Sequence, residues 1–219
     1  MNIEVINSVK PVDYVSSIDF LEKRVNEVSL GKKKELLWIL EHETVFTGGT
    51  SSNPKDLINK NIKIIKTNRG GKYTVHSPGQ KIIYFVLNLN KRKKDIRILI
   101  NQIENCIINV LKKYKVSSYP DKKNIGIWVK DKKIAAIGIR VKKWVAYHGF
   151  AINVCNDLKK YKEIVPCGIK KKGITSLKDL GINSYEDISY TLSVLMTHFS
   201  IWLINFLISF FLLFKFKTK

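Results

Sequence analysis

The spacing of hydrophobic and polar positions changes several times along the chain, and each change marks an element. Residues 3–9 read as a first strand. Residues 12–30 then place Val15, Ile18, Leu21, Val25 and Val28 at helical spacing, and Gly31 ends the run. Residues 35–41, ELLWILE, form a short apolar run that predicts a buried strand. The turn-rich TGGTSSNPKDL that follows predicts a loop. Residues 62–66 and 82–89 predict two further strands, separated by the glycine-rich NRGGKYTVHSPG. The clearest helix spans 95–114, with Ile96, Leu99, Ile100, Ile103, Ile107, Val110, Leu111 and Tyr114 on one stripe. Residues 125–130, 133–141 and 149–154 predict consecutive strands, the first two joined by a tight hairpin at Asp131-Lys132. One helical turn is expected over 159–164. Helices interleaved with sequential strands predict an α+β fold rather than a doubly wound sheet.

The last stretch breaks this pattern. Residues 190–214 contain no Asp, Glu, Lys or Arg, and KFKTK follows. Twenty-five uncharged residues exceed the ~20 needed for a membrane-spanning helix. A buried C-terminal helix fits the same composition. The chain therefore divides into a body, 1–184, and an apolar helical tail, 185–219, with membrane association open. The N-terminus has no long apolar core and does not read as a secretory signal.

At 219 residues, 45% of them hydrophobic, the chain can bury a core without disulfides. Cys106, Cys155 and Cys167 are far apart, and His42, His76, His148 and His198 are scattered. The expectation is reduced thiols in a cytoplasmic protein, with no structural metal. The net charge of +21 attracts acidic partners. Only five of the 39 basic residues are Arg, the better fork for phosphates and base edges, which weakens a nucleic-acid reading. A codon-composition skew toward Lys, Ile and Asn would give the same charge.

Three loops carry candidate chemistry. In NRGGKYTVHSPGQ, residues 68–80, two glycines allow close backbone approach, Arg69 offers a fork for a carboxylate or phosphate, and His76 lies nearby. A plain turn accounts for the same residues, and the loop is not a phosphate-binding GxxxxGK[ST]. In KIAAIGIRV, residues 133–141, Ala135, Ala136 and Gly138 suggest a ligand packed on a strand. Lys133 opens that strand as either a solvated hairpin charge or a functional base. In IVPCGIKKKGITSL, Cys167 sits on a Pro-Cys-Gly corner that could present a thiolate. Cys106, beside the helical stripe, and Cys155, at a strand end, carry no such signal.

Taken together and in order, these blocks resemble the lipoyl(octanoyl) transferases, also called lipoate-protein ligase B. RGGKYTVHSPGQ is similar to the family's RGG-x-x-T-[YF]-H-G-P-G-Q. GIWVKDKKIAAIGIR followed by HGFAIN resembles its second block, and IVPCG with ITSL its third. HETVFTGGT resembles a further segment. The likeness spans roughly residues 35–180. It implies a fold like the class II aminoacyl-tRNA synthetases and biotin-lipoate protein ligases, with a central mixed sheet and flanking helices. It implies transfer of octanoyl from acyl carrier protein to a specific lysine of lipoyl domains, in 2-oxoacid dehydrogenases and the glycine cleavage H protein, through an enzyme thioester and without a cofactor.

On this resemblance Cys167 is the nucleophile, and Lys133 lowers its pKa and serves as acid and base. Arg69, Gly70, Gly71, Lys72, Tyr73, Thr74, Val75 and His76 form the substrate loop. Ala136, Ile137, Gly138, Gly149, Phe150 and Ala151 supply the remaining acyl-site segments. Two residues depart from the pattern: Ser77 stands where the family has Gly, and Val75 where it has an aromatic residue. Ser tolerates strongly positive φ poorly, so a reshaped loop is expected there. An ATP-dependent ligase of the same fold and a non-catalytic basic binding protein are the rival readings.

Overall fold

Every residue of Glu35–Leu40 is buried, because this strand lies inside a sheet covered on both faces. A computed structural model describes residues 3–165, 172–185 and 187–193. The expected elements are β1 (Ile3–Asn7), α1 (Tyr14–Ser29), β2 (Glu35–Leu40), β4 (Ile64–Lys66), β6 (Gln80–Asn88), α2 (Ile96–Lys113), β8 (Ile127–Val129), β9 (Lys132–Lys142) and β10 (Val145–Asn153). Four more strands, β3 (Val45–Gly48), β5 (Tyr73–His76), β7 (Tyr119–Pro120) and β11 (Gly173–Ile174), lie in stretches expected to be loops or left unassigned. The expected turn is a 3-10 helix at Leu158–Glu163.

The main sheet runs in the order β1-β2-β6-β10-β9-β8-β7, and β11 pairs with β9. β1–β2 and β11–β9 are parallel and the other pairs antiparallel, so the sheet is mixed, as expected. A second sheet, β4-β3-β5, stands beside it. Helices α1 and α2 each begin at an aspartate. The Asp13 carboxylate accepts from Ser16 N, and that of Asp95 from Arg97 N and Ile98 N. Helix α1 buries Leu21, Val25 and Val28 against Trp38, Tyr84 and Tyr147 on one face of the sheet. Helix α2 buries Leu99, Ile103, Ile107, Val110 and Leu111 against Phe85 and Phe150 on the other.

Residues 187–193 belong to the packed body. Ile188 and Leu192 join the α2-side core, and the Tyr114 hydroxyl donates to Asp187 at 2.6 Å. Among the described residues no helix is long and apolar enough to cross a membrane. Residues 194–214 of the apolar stretch lie outside the described residues, as does Cys167.

Candidate active site

β8 pairs with β9 only as far as Ala135. Beyond it the edge of β9 opens into a cleft of about 700 Å³, bounded by the 68–76 segment, Tyr14, and Ile96 and Ile100 of α2. The floor is shaped by two register pairs, Ala136 with Ala151 and Gly138 with Gly149. Residues two apart on a strand share a face, so these four small residues form one trough. Gly149 cannot be replaced without movement, since a Cβ there would lie 1.8 Å from the Ile83 carbonyl oxygen. Gly138 lies beneath the roof, where a Cβ would meet Arg69 Cδ and the Gly70 oxygen at 3.4 Å.

Lys133 stands at one end of the trough and is buried. Its Nζ donates to the Ile125 carbonyl at 3.0 Å and lies 4.9 Å from the centre of the Trp128 ring. The Lys172 ammonium lies 4.5 Å from the same ring and pairs with Asp121 at 3.0 Å. The Asp121 carboxylate raises the Lys172 pKa. Both flanks of the 166–171 segment, which holds Cys167, are fixed by backbone hydrogen bonds, the downstream one to the strand of Lys133. Upstream, Val165 N donates to the Asp56 carbonyl at 2.7 Å. Downstream, Gly173 and Ile174 pair with Lys132 and Lys133, and Thr175 N donates to the Lys133 carbonyl at 3.0 Å.

The other end of the trough is polar and buried. His148 is the register partner of Phe85 and Ile139, and strict alternation would send its ring into the α2-side core with Phe85. Its φ of +66° turns it to the opposite face instead. There it stacks on Tyr147 at 4.7 Å and meets Tyr84 at 6.4 Å, both members of the α1-side core. His148 Nε2 lies 2.7 Å from Asn68 Oδ1. The Asn68 amide nitrogen donates to the Glu22 carboxylate, so Oδ1 is the acceptor and His148 carries its proton on Nε2. Burial, reinforced by Arg69 and Arg140, pushes the His148 pKa down to about 3, and the ring is neutral.

Two further histidines form the wall behind. His76 Nδ1 donates to Gln80 Oε1 at 2.6 Å, because the Gln80 amide is already donating to Asn153 and Tyr161. Burial, then His42, pushes its pKa down to about 3. His42 donates from Nδ1 to the Val12 carbonyl at 2.7 Å and accepts from the Tyr84 hydroxyl at 2.9 Å.

Several expected residues take roles the sequence did not suggest. Arg69 does not hold its fork open for an anion. Its Nη2 donates to the Thr47 carbonyl, Thr47 Oγ1 and the Lys72 carbonyl at 2.8 to 3.1 Å, which clamps the loop shut. Gly70, Gly71, Lys72, Tyr73, Thr74 and His76 line the cleft, as do Ile137 and Phe150. Val75 turns away into a small core with Tyr161 and Ile164. Ser77 has no positive φ, because Gly79 takes the left-handed position at +84°, so no reshaping is needed. Burial drives the Cys106 thiol up to about 12, which makes it a poor nucleophile. Among the described residues no group of three His, Cys, Asp or Glu side chains is placed to hold a metal ion.

The sequence reasoning missed Tyr14, Asn68, Tyr84 and His148 as cleft residues. Asn68 opens the glycine-rich stretch already singled out, and the His-Gly pair at 148–149 carried a signal of its own, since a strand glycine often marks a close backbone approach.

The profile of the lipoyl protein ligase A/B catalytic domain matches residues 13–193. The chain belongs to that family. It is 45% identical over 189 residues to the octanoyltransferase of Ehrlichia canis, covering 83% of this chain and 88% of that protein. It is 43% identical over 187 residues to the octanoyltransferase of the Wolbachia of Brugia malayi, covering 83% and 91%. Among solved structures, a lipoate-protein ligase A bound with ATP superposes with a TM-score of 0.75 at 15% identity, covering 91% of this chain and 85% of that one. The biotin protein ligase of Aquifex aeolicus with biotin and ATP gives 0.55 at 15% identity, covering 94% and 71%. The fold is the expected lipoate and biotin ligase fold.

Proposed function

We propose that this protein is an octanoyltransferase that holds the octanoyl group as a thioester on Cys167 between acyl carrier protein and a lipoyl-domain lysine. The observation that carries the reading is the convergence on Lys133. The chain leaving the Cys167 segment pairs with the strand of Lys133, and Lys172 shares the Trp128 ring with it.

The chemistry is two displacements. Lys133, as the neutral amine, takes the Cys167 proton, and the thiolate attacks the carbonyl carbon of the donor thioester. A carbon–sulfur bond to Cys167 forms as the bond to the carrier's sulfur breaks, and the carrier leaves as a thiol with the proton from Lys133. The acceptor lysine amine then attacks. An amide bond forms, the Cys167 bond breaks, and the amine proton returns through Lys133 to the leaving thiolate. Backbone N–H groups of β9 beyond Ala135, where pairing with β8 ends, are open to the oxygen that gains charge in each step. The trough grips the acyl chain at about 0.8 kcal/mol per buried CH₂. The +21 charge favours an acidic carrier protein as donor. Reduced cysteines suit a cytoplasmic setting.

The test is an intact-mass spectrum after mixing the protein with octanoyl-acyl carrier protein in the absence of ATP. One octanoyl adduct is expected, removable by hydroxylamine and absent in Cys167→Ser. Adduct formation that needs ATP and free octanoate would instead make the protein a ligase.

A further inference from the structure

We propose that His148 is the end stop of the acyl cleft, the side chain that sets how long an acyl chain this protein accepts. The proposal rests on the transfer reading for the position of the acyl carbonyl, at the Lys133 end.

Both ends of the slot can be placed. The Lys133 side chain runs past Gly126, where a Cβ would meet Ala135 O at 2.6 Å and Lys133 Cε at 3.1 Å. The reactive end is therefore level with Ala135 and Ala136. From there the floor is the Ala136–Ala151 and Gly138–Gly149 pairs, with no side chain larger than a methyl. The next pair on that face is Arg140 with Tyr147, and the smooth floor stops there. His148 stands just before it, turned onto the cleft side by its left-handed backbone. From Ala136 to Ile139, the partner of His148, is three residues, about 10 Å along a strand. That is close to the extended length of an eight-carbon chain.

His148 is also held in place. Asn68 fixes the ring, Glu22 fixes Asn68, and Arg140 Nη1 donates to the Asn68 carbonyl at 2.8 Å. A left-handed histidine within a strand persists only where its surroundings over-determine it. Ordinary alternation would bury the ring on the far face and leave the trough open to Arg140. A longer chain must separate the Glu22–Asn68–His148 series, which leaves buried polar atoms unpaired.

The test compares acyl-length profiles of the full-length wild-type protein and His148→Gly. Glycine takes the left-handed backbone without strain and removes the ring. Binding of free C6 to C14 fatty acids is read by displacement of a fluorescent fatty acid. Acylation of Cys167 by carriers of the same lengths is read by intact mass. In His148→Gly, decanoate should gain roughly 15-fold relative to octanoate, about fourfold for each added methylene, and acylation should shift to longer donors. His148→Asn, smaller and tolerant of the same backbone, should shift the profile in the same direction and serves if the glycine variant does not fold. A folded variant that keeps the wild-type preference overturns the proposal, as does a wild-type protein that binds no fatty acid. If Cys167 takes no adduct while binding shows the expected length shift, the end stop stands and the thioester reading fails.

Discussion

The two ends of the cleft are about three strand residues apart and electrostatically opposite. At the Lys133 end, ionic groups gather. Two ammonium groups share one indole ring, and Asn124 and Lys172 hold the Asp121 carboxyl well below the usual carboxylate range. At the His148 end, charge is refused. His148 and His76 are both pushed to about 3, chiefly by burial. The same two sheet strands floor both ends, so the fold class does not set the difference. It follows from partners: the cations have ring faces and a carboxylate, whereas the imidazoles face amide groups, hydroxyls and arginines. On the proposed reading, proton transfer belongs at the first end and apolar chain recognition at the second.

Breaking the charged end should have the largest effect. Lys133→Ala should slow acylation of Cys167 by at least ~100-fold, the usual range for a lost acid–base group. Single-turnover mass spectrometry from pH 6 to 9 checks this, and an unchanged pH profile would remove Lys133 from the proton path. The neutral end should respond to acid. His148 and His76 titrate near 6.5 when unfolded and near 3 when folded, so between these values the unfolded chain binds more protons. Stability should be full above pH 6.5 and fall as pH drops toward 3, by up to about 1.4 kcal/mol per pH unit for each histidine. Urea midpoints from pH 7 to 4 should fall less steeply in His148→Asn; equal slopes would mean that His148 is not held neutral. The smallest effect sharpens the comparison. Trp128→Leu removes the ring beneath both ammonium groups, at about 1 kcal/mol. It should slow acylation several-fold and leave the fatty-acid length preference unchanged, whereas a changed preference would show that the two ends are not separable.

Much of the fold was legible because local pattern and tertiary environment agree. The α2 stripe is periodic because its inner face meets one continuous core, yet Ile96 and Ile100 at its start turn toward the cleft. β3 and β5 were hidden because the Gly, Ser and Thr around them signal turns, and their pairing with each other supplies what propensity lacks. Arg69 was legible as important but not in its use. A fork suited to an external anion is equally suited to two oxygens of Thr47 on β3 and one of Lys72 in its own loop.

The sequence was enough for the family, through three ordered motifs, and for naming the candidate residues: Cys167, Lys133, the glycine loop and the small residues of β9 and β10. Tertiary structure decided their arrangement. Strand register placed Ala136 against Ala151 and Gly138 against Gly149, and parallel pairing brought the chain after Cys167 to Lys133. One inverted backbone angle put His148 in the cleft. Motifs specify which side chains are present. Register and backbone handedness specify which face each one occupies, and both depend on partners far away in the chain.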